Sequence, residues 1–430
     1  MDSNRFSSFE QLAEHAGVMG VSLSSGDVSV LSRPLEVGGK VIPNRLLIQP
    51  VECGDALPDG APGELTRRRY LRFAAGGAGL VWMEATAILP ELKSHPSQLV
   101  LTSQTLGSFQ RLLADMREAA LARNETEPLI VVQLSHPGRS CLKAPKPASD
   151  REVWDKIRSA QGESAVSDDE IERLSAIYGD AAKLAKQAGF DGIEIKACHS
   201  FFVSELLSAR GRPGRYGGSF GNRARHLKES LAAARAEAGD MFLAVRLNIY
   251  DGIPYPDGFG MKEGGGFSFD AAEPVRLLEE IKDEFAVELV NCTSNSPNWK
   301  LFPNAYIPQE QIFSSPDDPL KNGARMHRFA SVIKAAVPAM KVVATAFSHL
   351  KQYAPTVGAG MIERGEADLI GFGRQALAYP DFARDILLLR GMDREKVCLC
   401  CGGCGKLFGS GTGGGCVLRD ERYKNSLKKV

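Results

Sequence analysis

Eight short aliphatic runs recur through this chain with helical stretches between them, at 46–49, 79–84, 129–134, 192–196, 242–247, 287–291, 341–345 and 368–372. Each is a continuous apolar string rather than an alternation, the pattern of parallel strands buried on both faces. The clearest intervening helix opens at Ser167, where Ser-Asp-Asp-Glu makes a capping box. It carries Ile171, Leu174, Tyr178, Ala181 and Leu184 at helical spacing and stops at Gly189. Eight βα units predict a (β/α)8 TIM barrel, because a doubly wound open sheet rarely needs so many.

A barrel also predicts where the chemistry lies. The site is expected at the C-terminal strand ends, in residues 49–53, 84–86, 133–139, 196–202, 246–250, 291–293, 345–348 and 371–374. Two connections, 144–167 and 251–269, are long enough to be read as lids or binding loops. The expected division is a barrel over 1–392, with 1–30 as an N-terminal extension, and a cysteine-rich segment over 393–430.

Lys+Arg and Asp+Glu each number 52 among 430 residues, and no long basic block marks a surface for nucleic acid or anionic membrane. The N-terminus lacks an apolar signal core and no run is apolar enough to span a bilayer, so a cytoplasmic protein is expected. A homo-oligomer stays open.

Of nine cysteines, five fall at Cys398, Cys400, Cys401, Cys404 and Cys416. Read as Cys398-x2-Cys401-x2-Cys404-x11-Cys416, they offer four thiolates at spacings that suit an iron–sulfur cluster, with structural zinc as the alternative. Cys400 is the spare thiol, and Cys400-x3-Cys404-x11-Cys416 is the rival ligand set. The remaining four, Cys53, Cys141, Cys198 and Cys292, are scattered along apolar segments, as suits reduced buried thiols. Gly409, Gly411 and Gly414 match Gly-x-Gly-x-x-Gly, but no strand precedes them, so they are not read as a dinucleotide fingerprint. They are expected instead to let the backbone wrap around the metal.

At the strand ends the residues resemble the old yellow enzyme family, FMN-dependent ene-reductases with dienoyl-CoA and enoate reductase relatives. The likeness runs through Pro43-Asn-Arg-Leu-Leu-Ile-Gln-Pro50, Tyr70 to Glu84, Gln133-Leu-Ser-His-Pro-Gly-Arg139, Ala188 to Glu194, Arg215 to Arg223, and Ala367-Asp-Leu-Ile-Gly-Phe-Gly-Arg374, all in the family's order. It implies FMN as cofactor, with its phosphate held by Ala346, Phe347, Gly373 and Arg374. Gln133 is implied at the pyrimidine edge, Pro50, Val51, Glu52 and Ala85 beside the ring, and Arg246 near N1 and the C2 carbonyl.

The family's substrate-binding pair, two residues three apart after the fourth strand, corresponds to Lys196 and His199, with lysine departing from the usual imidazole. Its proton-donating tyrosine corresponds to Phe201, which has no proton to give. Tyr250, Lys196 and Cys53 are the candidate acids, Tyr250 first. The implied reaction is hydride transfer from flavin N5 to an activated C=C bond of an enone, enoate or enoyl thioester. The vacancy at Phe201 also admits an FMN dehydrogenase or isomerase, and Lys196 a flavin and metal redox carrier or sensor.

Enoate-reductase-type relatives carry a [4Fe-4S] centre at a similar cysteine cluster and continue into nucleotide-binding domains, whereas this chain stops at Val430. Electrons are therefore expected from NAD(P)H at the FMN face or from a separate electron-donor protein, and the substrate is expected to be a small unsaturated molecule.

Overall fold

The structure, a computed structural model, describes residues 6–157, 159–294, 318–411, 413–424 and 426. Eight parallel strands close into a barrel: β1 (Leu46–Ile48), β2 (Leu80–Ala87), β3 (Leu129–Ser135), β4 (Gly192–Ala197), β5 (Phe242–Tyr250), β6 (Val287–Ser294), β7 (Lys341–Ala344) and β8 (Leu369–Phe372). Ile370 pairs with Leu46 and completes the ring. Around it stand α1 (Glu64–Ala74), α2 (Leu106–Leu121), α3 (Asp168–Ala188), α4 (Phe220–Ala238), α5 (Ala272–Phe285), α6 (Pro319–Ala336), α7 (Ala354–Glu363) and α8 (Phe382–Leu389). The fold is thus the (β/α)8 barrel that the eight runs imply. The Ser167 hydroxyl accepts the Glu170 amide at 3.2 Å to start α3. Gly189, at φ 93°, stops it in the left-handed conformation that favours glycine.

Side chains of one strand parity fill the barrel in layers. Leu47, Leu80, Trp82, Val131, Phe242, Ala244, Leu289, Val343 and Leu369 form an apolar lower core. A short antiparallel hairpin, Leu35–Val37 with Lys40–Ile42, packs Leu35, Val37 and Ile42 against that core and plugs the N-terminal mouth. Two residues further along the strands the same parity turns polar, at Gln49, Gln133, Glu194, Arg246 and Asn291, all buried or nearly so. The apolar floor and polar upper layer leave the C-terminal mouth for chemistry.

The strands β2, β5 and β6 run past the expected ends, so that Tyr250 and Thr293 lie within strands rather than loops. The connection 144–167 contains a helix, Glu152–Ile157, and is pinned from beneath by Arg139. That buried guanidinium donates to Glu205 at 2.9 Å and also engages Asp155 and the Ser149 carbonyl. The second long connection folds back on Asp251, which accepts the Phe259 amide at 2.8 Å. The two loops meet where Arg151 donates to both oxygens of Asp257, at 2.6 and 2.9 Å.

The cysteine-bearing segment packs onto the barrel: Val397 belongs to the main core, and a helix spans Gly403–Gly409. One of its glycines has a packing role. A Cβ on Gly414 would overlap Cys53 after β1, so the segment reaches the first βα loop only through a bare backbone. Asp420 secures it, accepting from both terminal nitrogens of Arg68 at 2.8 and 2.9 Å and from Arg72, both on α1.

Candidate active site

A cleft of about 750 Å³, open to solvent, lies at the C-terminal mouth. Pro50 and Val51 after β1, Arg246 of β5, Ala346 after β7, and Gly373 and Arg374 after β8 all line it, so six of the expected cofactor positions converge. Gln49, Thr345, Ser348 and His349 complete much of the wall, with Asn322 and Gly323 from α6. Asn322 and His349 were not anticipated, because they belong to a helix face and a short 3-10 turn that carry no strand-end signal. A Cβ on Gly371 would meet the Gln49 amide, so the bare backbone here leaves that amide its place against Asn291.

The register of the barrel explains how the polar layer assembles. Gln133 pairs with Glu194, Lys196 with Arg246, and Arg246 with Asn291. Gln49 and Asn291 exchange two amide hydrogen bonds at 3.0 and 2.9 Å, and Asn291 also reaches Glu194 at 3.4 Å. Burial pushes the Glu194 carboxyl up to about 7, although Arg246 and the amide donors of Gln133 and Asn291 favour its charge.

Two buried donors at the cleft lack a partner among the described residues: Nε of Arg246 and Nδ2 of Asn322. Orphaned donors of this kind cost free energy unless a ligand accepts from them. A cationic and amide-lined cleft, with a glycine-bearing turn at Gly371 and Gly373 and Arg374 beside it, suits an anionic cofactor such as a nucleotide phosphate.

Four expected cofactor positions lie off the cleft wall. Ala85 and Gln133 are buried neighbours in the strand register, and the Gln133 amide donates to Glu194. Phe347 turns into the core and stacks on His327 at 4.3 Å between ring centroids. Glu52 turns to Lys196, with 3.4 Å between carboxylate and ammonium.

Lys196 is almost fully buried, and its ammonium also lies 3.5 Å from the centroid of the Phe201 ring. His199 and Ser200 take φ of 61° and 60°, left-handed values that cost non-glycine residues about 1–3 kcal/mol and that aim this tight turn inward. The His199 imidazole meets the Thr293 hydroxyl at 3.3 Å. Burial, then Arg246 and Lys196, hold it well below the ordinary histidine pKa, so the ring is neutral.

Tyr250, the first candidate acid, is placed elsewhere. Its hydroxyl donates to the Phe267 carbonyl at 2.9 Å, and its ring stacks on Phe329 at 5.3 Å in an aromatic cluster. Cys53 is buried, donates to the Val51 carbonyl at 3.4 Å, and has its thiol pushed well up by burial.

Beside the cleft, Cys398, Cys401, Cys404 and Cys416 line one small cavity with Leu377, Arg419 and Arg374, and Arg374 borders both spaces. Cys400 is not part of that wall; its thiol donates to the Ser348 carbonyl at 3.4 Å and also contacts Cys398. Among the described residues, no group of three or more His, Cys, Asp or Glu is closed into an arrangement that could hold a metal ion. Four of the five thiols thus border one cavity without closing on a common centre.

Fold and cleft together define a (β/α)8 barrel with a cationic cleft at its C-terminal mouth. The chain belongs to the NADH:flavin oxidoreductase / NADH oxidase family, whose pattern it matches over residues 30–388. It is 27% identical over 388 residues to N,N-dimethylglycine/sarcosine dehydrogenase of Chromohalobacter salexigens, covering 86% of this chain and 50% of that one. It is 27% identical over 368 residues to NADH-dependent flavin oxidoreductase iliE of a Neonectria species, covering 80% and 45%. The chain thus spans about half the length of the curated relatives it matches. Morphinone reductase in complex with tetrahydroNAD superposes with a TM-score of 0.61 at 23% identity, covering 84% of this chain and 92% of that one, which shows the shared fold. Among the described residues no helix is long and apolar enough to cross a membrane.

Proposed function

We propose that this chain is an FMN-dependent oxidoreductase that reduces a C=C bond conjugated to a carbonyl. The observation that carries the reading is the buried Arg246, with Nε unpartnered among the described residues, beside the cleft and in register with Lys196. FMN in the cleft would supply hydride from N5. Arg374, with the backbone around Ala346 and Gly373, would hold its phosphate; Pro50 and Val51 would line the ring, and Arg246 would face the edge where negative charge gathers. Gln133, fixed by Glu194, would present its remaining amide capacity to the same edge. The neutral His199 would then hold the substrate carbonyl, drawing electron density from the alkene, with Lys196 beside it.

A [4Fe-4S] centre on Cys398, Cys401, Cys404 and Cys416, with zinc the alternative, would relay electrons. Its support is the convergence of four thiols on one cavity whose wall includes Arg374. The donor would be NAD(P)H or a separate redox protein.

A second reading, dehydrogenation of an N-methylated amino acid, draws on the relative from Chromohalobacter and on the absence of a phenol at Phe201. Anaerobic mixing of the reduced protein with enones, enoates and enoyl thioesters tests the first reading. Reoxidation of the flavin by an alkene supports it. Flavin that no alkene reoxidises, but that dimethylglycine or sarcosine reduces, would replace it with the second.

A further inference from the structure

We infer that Lys196 is the acid that protonates the α-carbon, and that Glu52 returns its proton from solvent. The inference rests on the alkene-reductase reading and names the residue that completes it. The candidates separate by geometry. Tyr250 has its proton on the Phe267 carbonyl, within an aromatic cluster. Cys53 points its thiol at the Val51 carbonyl, and Gly414 of the C-terminal segment presses against that side chain. His199 is neutral and turned to Thr293.

Lys196 differs from all three. Its side chain is only 4% exposed, yet it stands in register with Arg246 at the cleft. Glu52 takes one N–H at 3.4 Å, and the Phe201 face takes the charge at 3.5 Å. A third N–H is left for substrate. An aromatic face and a carboxylate are favourable partners for a buried ammonium and do not fix all its N–H groups. An ammonium N–H, like a phenol O–H, can be given to a carbon as negative charge gathers there, so the one can stand where the other is missing. Phenylalanine at 201 is then no loss of function, because the ring has become the seat of the acid.

Glu52 is better exposed than its partner, at 25% against 4%, and so joins the buried ammonium to water. FMN, when bound and reduced, would supply the hydride for the β-carbon, and the π pair would move toward the carbonyl. The Nζ–H bond then breaks as the α-carbon–H bond forms. The neutral amine regains a proton from solvent through the Glu52 carboxyl.

The test uses FMN-loaded protein reduced anaerobically with dithionite and mixed with 2-cyclohexenone, so that the electron donor plays no part. Lys196→Met is expected to slow flavin reoxidation about 10²–10⁴-fold, the usual range for a general acid. Adding Phe201→Tyr to it is expected to restore at least tenfold. Binding of saturated cyclohexanone, followed by the flavin spectrum, is expected to change less than threefold in Lys196→Met, which separates an acid from a simple anchor. Lys196→Arg keeps the charge but withholds the proton, and serves if the methionine variant does not hold FMN; it is expected to be equally slow. Reoxidation of Lys196→Met or Lys196→Arg at the wild-type rate would overturn the assignment, as would loss confined to cyclohexanone binding. A wild-type protein that no alkene reoxidises would instead overturn the underlying function.

Discussion

The backbone N–H of Cys398 donates to Oε1 of Gln375 at 3.0 Å, in the residue that follows Arg374. One dipeptide thus faces the cofactor cleft with its first residue and holds the cysteine segment with its second. Replacing Gln375 by Leu leaves the buried Cys398 amide without an acceptor, at a cost of about 1–3 kcal/mol. Amide hydrogen exchange is expected to accelerate across 397–409 while the barrel strands keep their protection.

The Asp420 clamp makes attachment of the segment sensitive to acid. Burial works to raise its pKa, but the Arg68 hydrogen bond and the Arg72 charge outweigh burial and hold it below the ordinary aspartate value. A depressed carboxyl contributes stability above about pH 3.9, its unfolded value, and loses that contribution as pH falls through the folded one. Limited proteolysis is expected to cut 403–424 faster in Asp420→Asn at neutral pH, and wild type should approach the variant only in strong acid.

Glu194 carries the opposite sign. Its folded pKa of about 7 lies above the unfolded value, so ionisation of the native protein opposes folding. Stability should decline as pH rises from about 4.3 to 7, by roughly 4 kcal/mol at most. Glu194→Gln is expected to flatten that slope in chemical denaturation, and an unchanged slope would contradict the assignment.

The thiols divide by direction. Cys404 faces the cavity shared with Cys398, Cys401 and Cys416, whereas Cys400 reaches the Ser348 carbonyl. Anaerobically purified Cys404→Ser is expected to lose iron and its broad visible absorbance while retaining FMN. Cys400→Ser should keep both.

The barrel was legible because parallel strands buried on both faces must be continuous apolar runs, and the strand ends then named six cleft residues directly. The N-terminal hairpin was passed over although Val37-Gly38-Gly39-Lys40 carries its signal: both glycines take positive φ, at 55° and 71°, as a tight two-residue turn requires. Tyr250 stands near the mouth by its distance along the strand, which runs longer than its apolar run, and the Phe267 carbonyl of the following loop accepts its hydroxyl, a contact that residue type alone does not encode. The stacking of Phe347 on His327 was not legible because backbone position and side-chain direction are independent after β7, where Ala346 takes φ of 71° and the chain turns. The contacts of Lys196 with Glu52 and Phe201 arise from a turn geometry at His199 and Ser200 that residue type alone does not encode.

Flavin content tests the central claim most directly. Wild-type protein and Arg374→Ala, each incubated with excess FMN and desalted, are measured for bound FMN per chain. Stoichiometric FMN in the wild type and a large loss in Arg374→Ala are the predicted results. A wild-type protein that retains no FMN, or an Arg374→Ala protein that retains it fully, would contradict the account.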